Sequence, residues 1–452
     1  MSINDFKSLL VRRAQEEGFE EFEVFAPSAD IFQVRITQGE MQEFKQAQSS
    51  GVSFRGRFAG GKMGYSSSEA LSESAVEFLL DAAKTNAHLL ESEDEEPLYS
   101  GEGPYQQVES LNLGLEKVST ERKCEIAYKI EEAATQADER VVAVDAAVLG
   151  TAQSHLVIAN SLGLDVSHRA NIAYAYVMVR VSDGGEPKVG FDSWAGRDLD
   201  QLNPKTLAQM AVNKALAQLG ASKPDSGLFR VVFNNETAGD LFACFAPSFY
   251  AENVQKGFSL MAGMSGKRIA SSKLTIRDDG YIADALGAKP FDYEGVPTQN
   301  KSVVEQGVLN TLLYNLKAAH KDGVMSTGNG LRRGLGGSVT TGCSIFYVAP
   351  SQTSFEEVLA YAGEGVLITS LMGLHSGTNV VSGEFSLQAS GFVIKDGKQG
   401  APLEQMVVSG NFYSLINDIL EVGSDLYLDI PSSDGRFGAP SILVSSLPIA
   451  GV

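Results

Sequence analysis

The chain has 452 residues, 43% hydrophobic and 20% charged, a globular balance with length for about two or three cores. Lys and Arg total 36 against 56 Asp and Glu, and the formal charge of −20 opposes phosphate backbones, so no nucleic-acid partner is expected. Cys124, Cys244 and Cys343 are few, odd in number and widely spaced, which argues against a disulfide framework and for a reducing cytoplasm.

Residues 2–17 predict an amphipathic helix. Ser2 and Asp5 have the spacing of an N-cap and its partner, Ile3, Phe6, Leu10 and Ala14 keep a helical period, and Gly18 ends it. Asp5, Lys7, Arg12 and Arg13 break up its apolar residues, so it is no signal peptide, and no uncharged run is long enough to span a bilayer. Strand-like runs follow at 22–25, 31–36, 41–45 and 52–58, with turns at Gly39, Gly51 and Gly60-Gly61. A helix from about Glu69 to Leu90 buries Ala75, Leu79, Ala82 and Ala83. Glu91 to Gly103 is acidic, holds Pro97, and reads as a solvated linker or long loop.

A third helix covers about Thr120 to Ala137. Two long strands then flank a tight turn at Asn160-Ser-Leu-Gly163. Ala208 to Leu219 completes another helix, and Gly220 to Gly227 is the best linker in the chain, which places a domain boundary between residues 223 and 224. Beyond it, runs at 228–233, 273–277, 303–316, 344–348, 384–394 and 404–410 predict mainly β structure.

Familiar catalytic signatures are missing. The chain has no H-E-x-x-H, no G-x-S-x-G elbow and no P-loop, and no two of its five histidines fall within one helical turn. His155 and His168 stand on opposite arms of the turn at Ser161-Leu162. A symmetric register would let them face each other, and a shift of one residue would put them on opposite faces. His320 sits at a probable helix end, where a cation complements the last carbonyls. Cys244 and Cys343 have no nearby histidine and read as inert thiols. The segment Ser326 to Gly337 has the glycines of an anion-binding loop, with Arg332 and Arg333 as charge, although a plain structural loop competes with that reading.

Several stretches together resemble the TldD/PmbA family: Asp292-Tyr-Glu-Gly-Val-Pro-Thr298, Glu305-Gln-Gly-Val-Leu309, Ser326-Thr-Gly-Asn-Gly330, Ser382-Gly-Glu-Phe-Ser386, Ser409-Gly-Asn411 and Val422-Gly-Ser-Asp425. The resemblance implies an α+β fold. Residues 1–223 would form an N-terminal α+β domain with a helix-flanked sheet, and residues 224–452 a mostly antiparallel, barrel-like β domain. TldD-like members of the family are metalloproteases with H-E-x-x-x-H on a helix and a cysteine nearer the C-terminus. TldE/PmbA-like members pair with them, and the family carries an older label of DNA gyrase modulator.

The corresponding helix is expected over about Glu236 to Val254, with Ala243, Cys244 and Ser248 near the positions of the motif's metal-binding His, its Glu and its second His. No His, Asp or Glu occurs from Leu241 through Ala251, and no cysteine follows Cys343. The resemblance therefore points to a TldE-like subunit with no catalytic residue, no metal and no cofactor of its own, zinc being expected only in a TldD-like partner. Expected partners are that metalloprotease subunit in a heterodimer and a peptide or unfolded-protein substrate, with a homodimer as the assembly of the isolated chain. Candidate groove residues are Thr327, Gly328, Asn329, Gly330, Arg332, His375, Ser382 and Gly383. Two rivals are an autonomous metallopeptidase with a site assembled from distant residues, and a non-enzymatic modulator of gyrase or a toxin–antitoxin component.

Overall fold

A computed structural model describes residues 1–452 apart from 60, 90–94, 284 and 452. The two predicted runs at 22–25 and 31–36 are one strand, Phe19–Thr37 (β1). Its first part pairs with Val52–Phe58 (β3) and, from Ser28 onward, the same edge pairs with Glu40–Ser50 (β2). Pro27 falls in the gap between those pairings, so its missing N–H removes no ladder bond and the strand runs on.

Met63–Ser68 (β4), Val141–Asn160 (β5), Asp165–Val181 (β6) and Lys188–Gly196 (β7) complete an antiparallel sheet of seven strands. Their order is β4-β3-β1-β5-β6-β7, with β2 also on β1. Asn160 makes the β5–β6 turn: its side-chain oxygen accepts from the N–H groups of Leu162 (2.9 Å) and Leu164 (3.2 Å), and Gly163 takes φ +101°.

Four helices supply the hydrophobic cover. Ile3–Glu16 is capped by Ser2, as expected, and with Glu73–Leu89 it buries Phe6, Leu10, Leu79 and Leu80 against Phe22, Val24 and Phe54. Thr120–Gln136 and Pro204–Leu216 cover Phe32, Val34 and Ile36 together with the alternating Ala173, Ala175, Val177 and Val179 of β6. The last helix starts four residues before the predicted Ala208, because Asn203 caps the N–H groups of Lys205 and Thr206 and Pro204 suits the first turn.

The described part of the acidic segment, residues 95–103, is a long loop, the second of the two readings, and part of it is packed. Residues 91–94 lie outside the described residues, but Leu98 is buried, and Tyr99 and Tyr105 pack beside Phe25, Leu164 and Phe291. Tyr105 donates to the Gly295 carbonyl (2.8 Å), which ties this segment to the C-terminal half.

In that half, Gly227–Phe233, Gly365–Met372, Glu384–Lys395, Lys398–Asn411 and Ile442–Gly451 pair in a closed ring of five strands, the barrel-like sheet. The first two run parallel and the other pairs antiparallel. A second sheet joins Ile276–Asp279, Asn300–Glu305, Ile345–Val348 and Arg436–Ala439 with two short edge strands. The predicted β run at 303–316 ends early, since Leu316–Asp322 is a helix capped by Asn315 and closed by Gly323 in the left-handed region. His320 lies in its last turn, as predicted.

The two halves meet across β1. Glu23 and Phe25 point away from the helices, and Phe25 touches Tyr293 and lies under the guanidinium of Arg332, 4.6 Å from the ring centre. The chain is thus α+β, with helices on one face of the first sheet and the C-terminal half on part of the other.

Candidate functional site

The element aligned with the family's metal-binding helix is broken. Asn235–Phe245 is α-helical, Ala246–Phe249 is a 3-10 turn, and Ala251–Gln255 resumes a short helix. The expected continuous helix over 236–254 is interrupted at Pro247, which has no N–H to give the preceding turn. Its apolar side is core: Phe242, Phe245 and Phe249 are buried, and Phe245 stacks on Phe412 with ring centres 4.5 Å apart.

The three motif positions do not suit a metal site. Ala243 has no donor atom. Burial, then the charge of Asp240, pushes the Cys244 thiol up to about 11, so it stays protonated. Ser248 is fully buried, and its hydroxyl accepts from Tyr413 (3.2 Å), whose phenol also reaches the Val380 carbonyl. Among the described residues no cluster of three or more His, Cys, Asp or Glu could hold a metal ion. The residues at these three positions do not fit a zinc site.

The register also resolves the histidine pair. His155 stands opposite Arg169 and His168 opposite Leu156, so the two imidazoles lie on opposite faces of the sheet and share no ligand geometry.

The two glycine-rich candidate segments do different things. Gly383, at φ +82°, brings its backbone against the Tyr413 ring, where a Cβ would sit 2.4 Å from a ring carbon. Ser382 is half-buried and its carbonyl accepts from Asn411 (2.7 Å), while His375 is exposed. Through Tyr413 this loop is fastened to Ser248 on the broken helix.

The other segment folds inward. Thr327 donates to the Asn329 side chain (2.7 Å), and the amide of Asn329 donates to Asp278 and to the Gly342 carbonyl (both 2.8 Å). The Gly330 N–H donates to Asp292 (2.7 Å), whose other oxygen takes the N–H groups of Glu294 (2.8 Å) and Val296 (3.0 Å). Gly328 passes so close to the Pro297 carbonyl that a Cβ would lie 2.5 Å from it. The carboxylates of Asp278 and Asp292 thus act as hubs that hold loop to loop.

Arg332 departs from the anion-loop expectation. Its guanidinium is buried and paired with Glu23, which also receives Arg55 through two bonds of 3.1 Å. Burial alone would raise the Glu23 pKa, but Arg332 and Arg55 outweigh it and hold the carboxyl below its ordinary value. Arg332 is therefore spent on an internal ion pair, while Arg333 is exposed and pairs with Asp434 at 2.8 Å.

Gly328, Asn329 and Gly330 do line a small cavity of about 60 Å³, shared with Lys289, Asp292 and Cys343. Thr327, Arg332, His375, Ser382 and Gly383 are not in its wall. Cys343 is 3.3 Å from the Tyr250 hydroxyl, and burial raises both groups well above their ordinary values, so neither is a ready nucleophile. Below the Asp292 turn, Glu294 is fully buried and raised by desolvation and by the charge of Asp292, and it accepts the Leu316 N–H at 2.8 Å. In the sequence Asp292 and Glu294 stand in a family-like motif with no role of their own, Lys289 carries no signal, and Glu23 and Asp278 carry none because their partners Arg332 and Asn329 are remote in sequence.

Three family profiles match in order: PmbA/TldA metallopeptidase domain 1 over residues 22–87, the central domain over 114–219, and the C-terminal domain over 226–451. A metalloprotease PmbA homolog of Buchnera aphidicola is 28% identical over 71% of this chain and 68% of its own length. A Thermotoga maritima protein, described as a proposed modulator of a DNA gyrase, superposes with a TM-score of 0.90 at 32% identity, covering 99% of this chain and 100% of its own. TldE from Thermococcus kodakarensis shares the fold, with a TM-score of 0.89 at 23% identity over 99% of this chain and 100% of its own.

Proposed function

The chain belongs to the TldD/PmbA metallopeptidase family as a TldE-like member, and from that premise we propose that it is the non-metallated partner of a TldD-like cytoplasmic metalloprotease. Its work is to bind and orient extended or unfolded peptides while the other subunit supplies the zinc chemistry. One observation carries this reading: on the family's metal-bearing element, Ala243 and a protonated Cys244 stand near the motif's first His and its Glu, and Ser248, near the second His, is buried and committed to Tyr413. Without metal ligands at those positions the element offers no Lewis acid, and binding is the contribution proposed for the scaffold.

The experiment is peptidase activity and metal content of the purified chain, alone and mixed with a TldD-like metalloprotease. The reading expects metal-free, inactive protein alone and a stable, active complex on mixing. Stoichiometric zinc with chelator-sensitive cleavage by the lone chain would favour an autonomous enzyme.

A further inference from the structure

Beside the small cavity, a larger cleft of about 390 Å³ runs between β5 and β6 of the first half and residues 286–293 and 431–433 of the second. It opens from the same neck, since Gly287, Lys289 and Tyr293 line both spaces. Its volume is at the small end of ligand sites, enough for a terminal residue or two and too little for a long segment. One wall is apolar, with Leu156, Ile172 and Phe291 prominent.

The charge of this cleft runs against that of the molecule. The chain carries a net −20, yet no described Asp or Glu is among the lining residues, while Lys289 and Arg197 both are. Lys289 meets only tyrosine: its ammonium is 3.2 Å from the Tyr293 hydroxyl and 4.6 Å from that ring's centre, and no carboxylate of the described residues pairs with it. A half-buried ammonium without a counter-charge attracts an anion strongly, because the low-dielectric walls weaken screening. His168 lies in the same wall, edge-on to Phe291, with a buried ring nitrogen that has no hydrogen-bond partner among the described residues. Burial first, then Lys289 and His155, hold its pKa down to about 4, so it brings no positive charge to the wall.

We propose that this cleft captures the free C-terminal end of a peptide, with the α-carboxylate on Lys289 and an apolar terminal side chain against Leu156, Ile172 and Phe291. The carboxylate suits the Lys289 ammonium, and the apolar wall beside it suits the terminal side chain. The assignment rests on the peptide-positioning role proposed above and adds an anchor point and a direction to it: the substrate would enter the cleft C-terminus first.

The test is fluorescence anisotropy on the full chain, with N-terminally labelled pentapeptides ending in leucine as the free acid or the C-terminal amide. The free acid is expected to bind about tenfold more tightly or better, the scale of one charge-assisted hydrogen bond. Lys289→Met should reduce the acid to the affinity of the amide, and Lys289→Arg should restore most of the difference. Ile172→Glu, at a half-buried wall position, should abolish acid binding by repulsion, with a urea midpoint confirming that each variant folds. Equal binding of acid and amide to the native chain overturns the assignment while leaving the broader peptide role standing. Binding of octanoate without binding of either peptide overturns it too, in favour of a small lipid acid, and so does absence of binding by both peptides.

Discussion

Replacing Glu23 by Gln keeps the shape of the side chain and removes the one charge that two buried guanidiniums share. Glu23, Arg55 and Arg332 are 1%, 2% and 6% exposed, so water cannot substitute for the lost carboxylate. The nearest other acids are poor replacements: Glu96 is 3.9 Å from Arg55, and Glu294 is raised toward its neutral form. Removing one partner of a buried pair costs roughly 3–5 kcal/mol. With a urea slope of about 3 kcal/mol/M, the midpoint should fall by about 1 M or more. Arg332→Met should cost less, because Glu23 keeps both bonds from Arg55 and the site becomes neutral overall. The assay is urea unfolding followed by circular dichroism for the native chain and both variants. A Glu23→Gln loss under about 1 kcal/mol, or a larger loss for Arg332→Met, would refute the claim that Glu23 is the shared counter-charge of two buried guanidiniums.

Other consequences concern different elements. Glu294, raised to about 8 by burial and by Asp292, contributes stability that is complete below the unfolded carboxylate value and lost as pH rises through the folded one. The native chain should therefore weaken between about pH 5 and 8 relative to Glu294→Gln, measured as urea midpoints across that range; parallel pH profiles would contradict the assignment. Phe245→Ala removes a buried ring stacked on Phe412 and should cost about 3–5 kcal/mol by the same assay. Gly64→Val should destabilise by more than about 2 kcal/mol, since even a Cβ there would lie 1.9 Å from the Ala83 carbonyl of the packed helix; an unchanged midpoint would show that the helix can shift.

Much of the first half was legible because its signals are local. The Ser2 cap, the run at 52–58, and the Asn160–Gly163 turn appear where their side chains predict them. Errors arose where distant contacts outweighed local ones. The runs at 22–25 and 31–36 read as two strands and are one, since Pro27 between them falls in the gap where the β3 pairing ends and the β2 pairing begins. The acidic stretch after residue 90 reads as solvated, yet Tyr99 and Tyr105 fold it onto Phe291.

The site followed the same division. That Ala243, Cys244 and Ser248 cannot bind a cation follows from residue type, but the commitment of Ser248 to Tyr413 required the fold. Arg332 looked available beside its glycines, and only the approach of Glu23, 309 residues away in sequence, shows that it is not. Lys289 gave no sequence signal at all, because its importance lies in a cleft whose described lining holds no Asp or Glu.

The central claim is that this subunit positions peptide and leaves hydrolysis to another. Its most direct test is to measure bound zinc and peptide cleavage for the chain alone, for a TldD-like metalloprotease alone, and for the two together. The account predicts no stoichiometric zinc and no cleavage from the lone chain, and a complex whose activity exceeds that of the metalloprotease by itself. Zinc bound one-to-one by the lone chain, with cleavage that a chelator stops, would contradict it.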